Sequence, residues 1–386
     1  MADEAGARVS LTAEQQDLRD AVRGLLASAG APAGSPAGSL ASSPAGSPAG
    51  SPAGSLAGDS AWRRLCREVG VAGLAIPERY GGAGAGPAET GVVMEELGRE
   101  LTPSPMLGSA VLAAQVLLAS GGEAARGRLL PGIADGSATV ALAWTTRAGR
   151  WDSGEVGYVS RPVGGGGWEL DGEAHYVLDG EEADVLLVAA RGEAGVGLFE
   201  VDPGQDGVSR TASKAMDLTR ELAVVRLNRA RGRRVGGDAE GALNRARDLA
   251  CLALSAEQAG AARRALELTV GYTLTRVQFG RVIGSFQALQ HRLADLHVLV
   301  ESAVSLSRAC ACGDTPALGL RASAVKVYCS EALMRTAAEM IQLHGAIGIT
   351  WEHPAHRYLK RAHGAMHLFG PPAQHAAAIA ASLIDR

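Results

Sequence analysis

The sequence predicts an α+β protein: an N-terminal helical domain, a middle antiparallel β domain and a C-terminal helical bundle. Three observations predict it. Up to about residue 137 the apolar residues recur three and four apart, the period of a helix with one buried face. From about 138 to 236 the texture changes to short alternating runs separated by DG, GE and GEAG turn signals. Beyond that the helical period returns in segments long enough to form a bundle. With 386 residues and 47% hydrophobic content, the chain can bury a large core.

In chain order, residues 1–137 form the first expected domain, opening with the helix "LTAEQQDLRDAVRGLLASAG". The tetrapeptide SPAG then recurs through residues 35–58, where proline breaks helix and little apolar surface is available, so a flexible low-complexity linker is expected. "SAWRRLCREVG", "AETGVVMEELGRE" and "GSAVLAAQVLLASGG" continue the helical pattern and end at Gly or near Pro. Residues 138–236 hold the strands, and "GGGG" at 164–167 reads as a hairpin loop, because no G-x-G-x-x-G or G-K-[ST] pattern accompanies it. Residues 237–386 contain "ALNRARDLACLALSAEQAGAARRALELTVGYTLTR", "SFQALQHRLADLHVLVESAVSLSRAC" and "ALGLRASAVKVYCSEALMRTAAEMIQLHG", the expected bundle.

A net charge of -4 without blocks of like charge leaves no footprint for nucleic acid or an anionic membrane, so small-molecule or protein partners are expected. The five cysteines are odd in number and lack C-x-x-C spacing, which suits reduced thiols in a cytoplasmic protein. The N-terminus lacks a basic segment followed by an apolar run, and "VLLVAA" is too short to span a bilayer, so no export is expected.

"RVQFGRVIGSFQALQHRLADL", residues 276–296, and "QLHGAIGITWEHPAHRYLKRA", residues 342–362, resemble the two signature regions of flavin-dependent acyl-CoA dehydrogenases. Together with the domain order and "WELDGEAHYVLDG", the resemblance runs from about Asp59 to the end. It implies that family's architecture with a four-helix C-terminal bundle, and α,β-dehydrogenation of an acyl thioester, carried by CoA or a carrier protein. FAD would lie between the β domain and the bundle, with a neighbouring subunit completing its site. An oligomer is therefore implied, either a homotetramer or a heterotetramer, with an electron acceptor the sequence does not name.

The resemblance assigns roles residue by residue. Arg276 would pair with the FAD pyrophosphate across a subunit boundary, its fork of donors suiting phosphate oxygens, with Gln278 and Phe279 nearby. Gln342 and the backbone at Gly345 fall where the family contacts the adenosine diphosphate portion; Ala346 replaces a frequent glycine. Trp144 and Thr145 in "ALAWTT" would lie at the flavin ring, and Tyr176 would shield it. Taken singly, Arg276 is a surface ion-pair residue, Gln342 an interface amide, and Trp144 and Tyr176 core aromatics of a sheet. His363 and His367 have the i, i+4 spacing of a helical metal pair, but no H-E-x-x-H accompanies them and no metal is expected.

Dehydrogenating a thioester requires a base within reach of the α-proton. In many family members this glutamate lies in a Y-E-G-T-like phrase; here the phrase reads "LFGP", with Phe369 at the acid and Pro371 in place of a flavin-contacting threonine. A second branch takes the acid from the first bundle helix, where this chain has Ala250. Asp248 is turned about 200° away on that helix, and Glu257 lies roughly 10 Å along it. Both are weak candidates, ordinary helix-surface carboxylates being the alternative, and Glu352 matches a motif residue that is not the family's usual base. The catalytic residue therefore stays unassigned. Three readings follow: a dehydrogenase with its base elsewhere, a non-catalytic subunit completing a competent partner's flavin site, or a repurposed, non-redox acyl-thioester-binding protein. A related flavin monooxygenase branch shares the architecture but fits the paired signatures less well.

Overall fold

The computed structural model describes residues 10–29, 54–120, 122–236, 239–312 and 317–384. Helix α1 (Ala13–Ser28) starts on a capping box, Thr12 accepting from the Gln15 amide while the Gln15 side chain accepts from the Thr12 amide. Helix α2 (Gly54–Val69) reaches further back than the linker expected over 35–58. Its last proline is Pro52, so nothing after it prevents a helix, and the helical backbone takes in residues 54–58; residues 35–53 of the linker lie outside the described residues. Helix α3 (Pro87–Arg99) opens with proline in its first turn. A wholly buried π-helical segment (Met106–Ala113) then runs into α4 (Ala114–Ala119), and α5 (Glu123–Ala134) completes this part.

Strands β1 (Val140–Ala143), β2 (Tyr158–Val163), β3 (Gly167–Leu178), β4 (Val185–Gly192), β5 (Gly195–Val201), β6 (Val208–Ala212) and β7 (Leu222–Arg234) make one sheet. Strand β5 bonds to both β4 and β7, so β4, β2, β3, β7 and β5 close a ring, with β1 joined to β4 and β6 to β7. Most pairings are antiparallel, as the turn signals predict, while β1–β4 and β2–β4 are parallel. The GGGG stretch is the turn between β2 and β3. The apolar run of β4 is explained by two covered faces: Leu186, Val188 and Ala190 enter the core inside the ring, whereas Leu187 and Ala189 pack into the inter-domain core.

Helix α6 (Ala239–Thr275) is followed by a hairpin of β8 (Val277–Gln278) and β9 (Arg281–Val282), then α7 (Gln287–Ala311), α8 (Leu318–His344), α9 (Ala355–His367) and α10 (Pro372–Ile384). Residues 250–262 of α6 are buried without interruption, which makes α6 the central helix rather than a surface one. It crosses α3 at close range: a Cβ on Gly98 would collide with the Glu257 carbonyl, and one on Gly260 with the Glu95 carbonyl. That approach sets where Glu257 sits. Among the described residues no helix is long and apolar enough to cross a membrane.

Candidate functional site

A cleft of about 450 Å³ opens between the β domain and the bundle. Gly149, Trp151, Tyr176 and Met216 wall it on one side, His363 and His367 on the other. Tyr176 reaches it through a bulge: the β3–β7 register slips between Ala174 and Val177, and Tyr176 has φ 57°, so its side chain leaves the pleat. Tyr176 is 38% exposed, and its hydroxyl donates to the Arg147 carbonyl at 3.3 Å.

Behind the wall stands an aromatic block. Trp151 packs edge-on against Phe369 at 4.9 Å between ring centroids and against Trp144 at 5.9 Å. Phe369, at the position where the family's glutamate is expected, is 1% exposed and adopts φ 60°. A polar clamp holds that turn. His375 donates from Nε2 to the Phe369 carbonyl at 3.0 Å and accepts at Nδ1 from Ser323, and burial pushes it down to about 4, so the imidazole is neutral. Lys326 is fully buried on α8 and donates to the carbonyls of Ala365 (3.2 Å) and Met366 (3.0 Å) at the end of α9. Burial brings its ammonium down to about 8.

The carboxylates near the cleft are engaged. Among the described residues, Asp217 is the one acid lining the cleft. It pairs with Arg361 at 3.1 Å and accepts from the Thr219 amide at 2.9 Å and hydroxyl at 2.5 Å. Burial works against its charge, yet Arg361, Thr219 and Arg220 together hold the carboxyl below its ordinary range. Glu257 does not face the cleft: it accepts from Arg220 Nη2 at 2.5 and 2.6 Å and from Arg361 Nη1 at 3.0 Å. Asp248 accepts from Arg247 Nε and Nη2 at 3.1 and 2.9 Å and does not line the cleft either. Guanidiniums distant in sequence thus converge on Glu257 and a neighbouring one on Asp248, so both expected weak candidates are engaged in ion pairs.

The residues the resemblance assigns to the cofactor fall in two groups. Tyr176 lines the cleft, while Trp144 and Thr145 are buried behind it with Nε1 and Oγ1 unpartnered. Arg276, Gln278, Phe279, Gln342 and Gly345 lie together on an exposed end of the bundle instead. The β8–β9 hairpin turns through Phe279 and Gly280, both at positive φ, leaving Phe279 91% exposed. Tyr272 joins this hairpin to the second signature, stacking on His344 at 4.4 Å and donating to the His344 carbonyl at 3.3 Å. Gly345 caps α8 at φ 63°. His363 and His367 face the cleft 5.5 Å apart, and among the described residues no group of three His, Cys, Asp or Glu side chains is placed to hold a metal ion.

Sequence reasoning missed Trp151, Arg220, Arg361 and Lys326. The RWD and LTR phrases flank turn signals and carry no local mark of burial; only a lysine inside an apolar helical face, "SAVKVYCS", hinted at Lys326.

Residues 52–137 match the acyl-CoA dehydrogenase N-terminal domain and residues 237–384 the acyl-CoA dehydrogenase C-terminal domain. The chain is 39% identical over 314 residues to acyl-CoA dehydrogenase IpdE2 of Mycobacterium tuberculosis, covering 81% of this chain and 83% of that protein. It is 34% identical to acyl-CoA dehydrogenase FadE27 of the same organism, over 77% and 80% of the two chains. Among solved structures, the ChsE4–ChsE5 complex of M. tuberculosis superposes with a TM-score of 0.83 at 27% identity, over 98% and 99% of the chains. A variant of the Tcur3481–Tcur3483 steroid ACAD gives 0.80 at 28%, over 96% and 98%. This chain belongs to the acyl-CoA dehydrogenase family. FAD is that family's cofactor.

Proposed function

We propose that the chain is an FAD-binding, acyl-CoA dehydrogenase-type subunit without a catalytic base of its own, working in a mixed assembly with an acid-bearing chain of the same family. One observation carries this reading: the one carboxylate lining the cleft among the described residues, Asp217, is held charged by Arg361, and the position expected to bear the base is a buried phenylalanine. A lowered carboxyl is a poor acceptor for an α-proton.

The residues present fit a flavin. Tyr176 and Trp151 offer aromatic walls, and the buried, unpartnered Trp144 Nε1 and Thr145 Oγ1 supply donors one layer behind. Held here, FAD would supply the hydride acceptor for oxidation of an acyl thioester. This chain's part is to hold and shield: Tyr176 and Trp151 exclude water from the ring, and the His375 and Lys326 clamps keep the Phe369 turn rigid. The exposed Arg276, Gln278, Phe279, Gln342 and Gly345 suit a cofactor carried by a neighbouring subunit, with Arg276 on its phosphates. The two-chain ChsE4–ChsE5 complex is a structural precedent for pairing of unlike subunits. The reading keeps three domains, residues 1–137, 138–236 and 237–386, an acyl-CoA or acyl-carrier thioester as substrate, and a cytoplasmic setting.

The test is an anaerobic titration with a panel of acyl-CoA thioesters, recording the flavin spectrum of the chain alone and of the chain co-purified with a family member that carries the Y-E-G-T-like glutamate. The expected result is bleaching only in the mixed assembly. Substrate-dependent bleaching in the chain alone defeats the reading and requires a base within it.

A further inference from the structure

A second cavity, of about 480 Å³, lies where the N-terminal helices, the β domain and the bundle meet. It is distinct from the cleft, with Arg220 forming a wall common to both. Three of its lining side chains carry buried polar atoms without a protein partner: Thr102 Oγ1, Asp179 Oδ2 and Arg220 Nη1. Thr102 is 8% exposed, and the Arg220 side chain 9%, so neither hydrates freely outside the cavity. Leaving such groups unmet is costly, which marks the cavity as built to receive a polar atom.

The chemistry of that atom follows from the lining. Thr102 and Arg220 are donors, and below about pH 7 Asp179 joins them as an O–H donor, because burial and the nearby Glu221 charge push its carboxyl up to about 7, Arg220 opposing. The group sought is therefore an acceptor oxygen. An anion is disfavoured, because among the described residues the lining holds five carboxylates besides Asp179 against three guanidiniums, and two of these, Arg220 and Arg361, already face Glu257. Met94, Leu97, Leu107 and Leu178 supply an apolar surface beside the donors. We propose that this cavity binds a neutral, apolar-bodied molecule through a carbonyl oxygen held by Thr102, Asp179 and Arg220. The proposal rests neither on flavin binding nor on the missing base.

The test uses the full chain at pH 6, below the Asp179 titration, and three probes of similar size, cyclohexanone, methylcyclohexane and cyclohexanecarboxylate, with affinities measured by ligand-observed NMR titration. Thr102→Val is the diagnostic variant: the hydroxyl has no protein partner and Thr102 does not line the cleft, so the fold and the flavin cleft are left intact. Cyclohexanone is expected to bind most tightly of the three, and Thr102→Val to weaken it by roughly three- to tenfold at unchanged Tm. Equal binding of methylcyclohexane, tighter binding of the carboxylate, no saturable ketone binding, or a Thr102→Val affinity equal to wild type overturns the proposal.

Discussion

Replacing Asp179 with Asn tests whether burial and the Glu221 charge outweigh Arg220 at a carboxyl held in the inter-domain cavity. Its Oδ2 lies against the backbone of Gly108, where even an added Cβ would collide with it, and burial and the charge of Glu221 carry the group from its usual 3.8 up to about 7. Between those limits the unfolded chain has released this proton while the folded chain keeps it, so stability falls as pH rises through the window and levels off above about 7. Roughly three pH units at about 1.4 kcal/mol each give a penalty near 4 kcal/mol at pH 8, which the amide does not incur. The amide brings an unpartnered N–H that costs about 1–3 kcal/mol at every pH. Asp179→Asn is thus expected to lie within about 1 kcal/mol of neutral at pH 5 and to be stabilising by about 1–3 kcal/mol at pH 8. Urea denaturation of both proteins at pH 5, 6, 7 and 8, at one protein concentration, reads the difference directly. Curves that stay parallel across the range refute the placement of a protonated Asp179.

Other perturbations have equally definite outcomes. Arg276→Ala is expected to lower the flavin-to-protein ratio of the purified assembly while leaving Tm of the apoprotein unchanged, since Arg276 is exposed; full flavin occupancy would remove its phosphate role. Glu257→Gln leaves Arg220 and Arg361 without their shared carboxylate and is expected to cost roughly 3–5 kcal/mol, seen as a large fall in Tm; a shift of a degree or two would show that the ion pairs are not formed. Gly260→Ala places a methyl group into the Glu95 carbonyl at the α3–α6 crossing, and loss of soluble folded protein is the expected result, with wild-type Tm contradicting the close approach.

The sequence by itself determined the order of helices, strands and bundle, because periods of about 3.6 and 2 are local properties of the chain. It also determined the family, through RVQFG and QLHG, and showed that the acid expected in the LFGP phrase is absent. Local reading failed where burial and partners come from afar. Asp179 stands in a DG pair that reads as a turn, which it is, with φ 57°, yet only the packing of Gly108 and Glu221 around it makes its carboxyl unusual. Glu257 looked like a helix-surface acid until Arg220 and Arg361, 37 and 104 residues away, closed on it. The parallel pairings of β4, the bulge that turns out Tyr176 and the Trp151–Phe369 contact likewise depend on elements that meet only after folding. Tertiary structure alone decided which carboxylates are engaged and which polar atoms are left unmet, because charge pairing and desolvation depend on distances in space that one-dimensional spacing does not record.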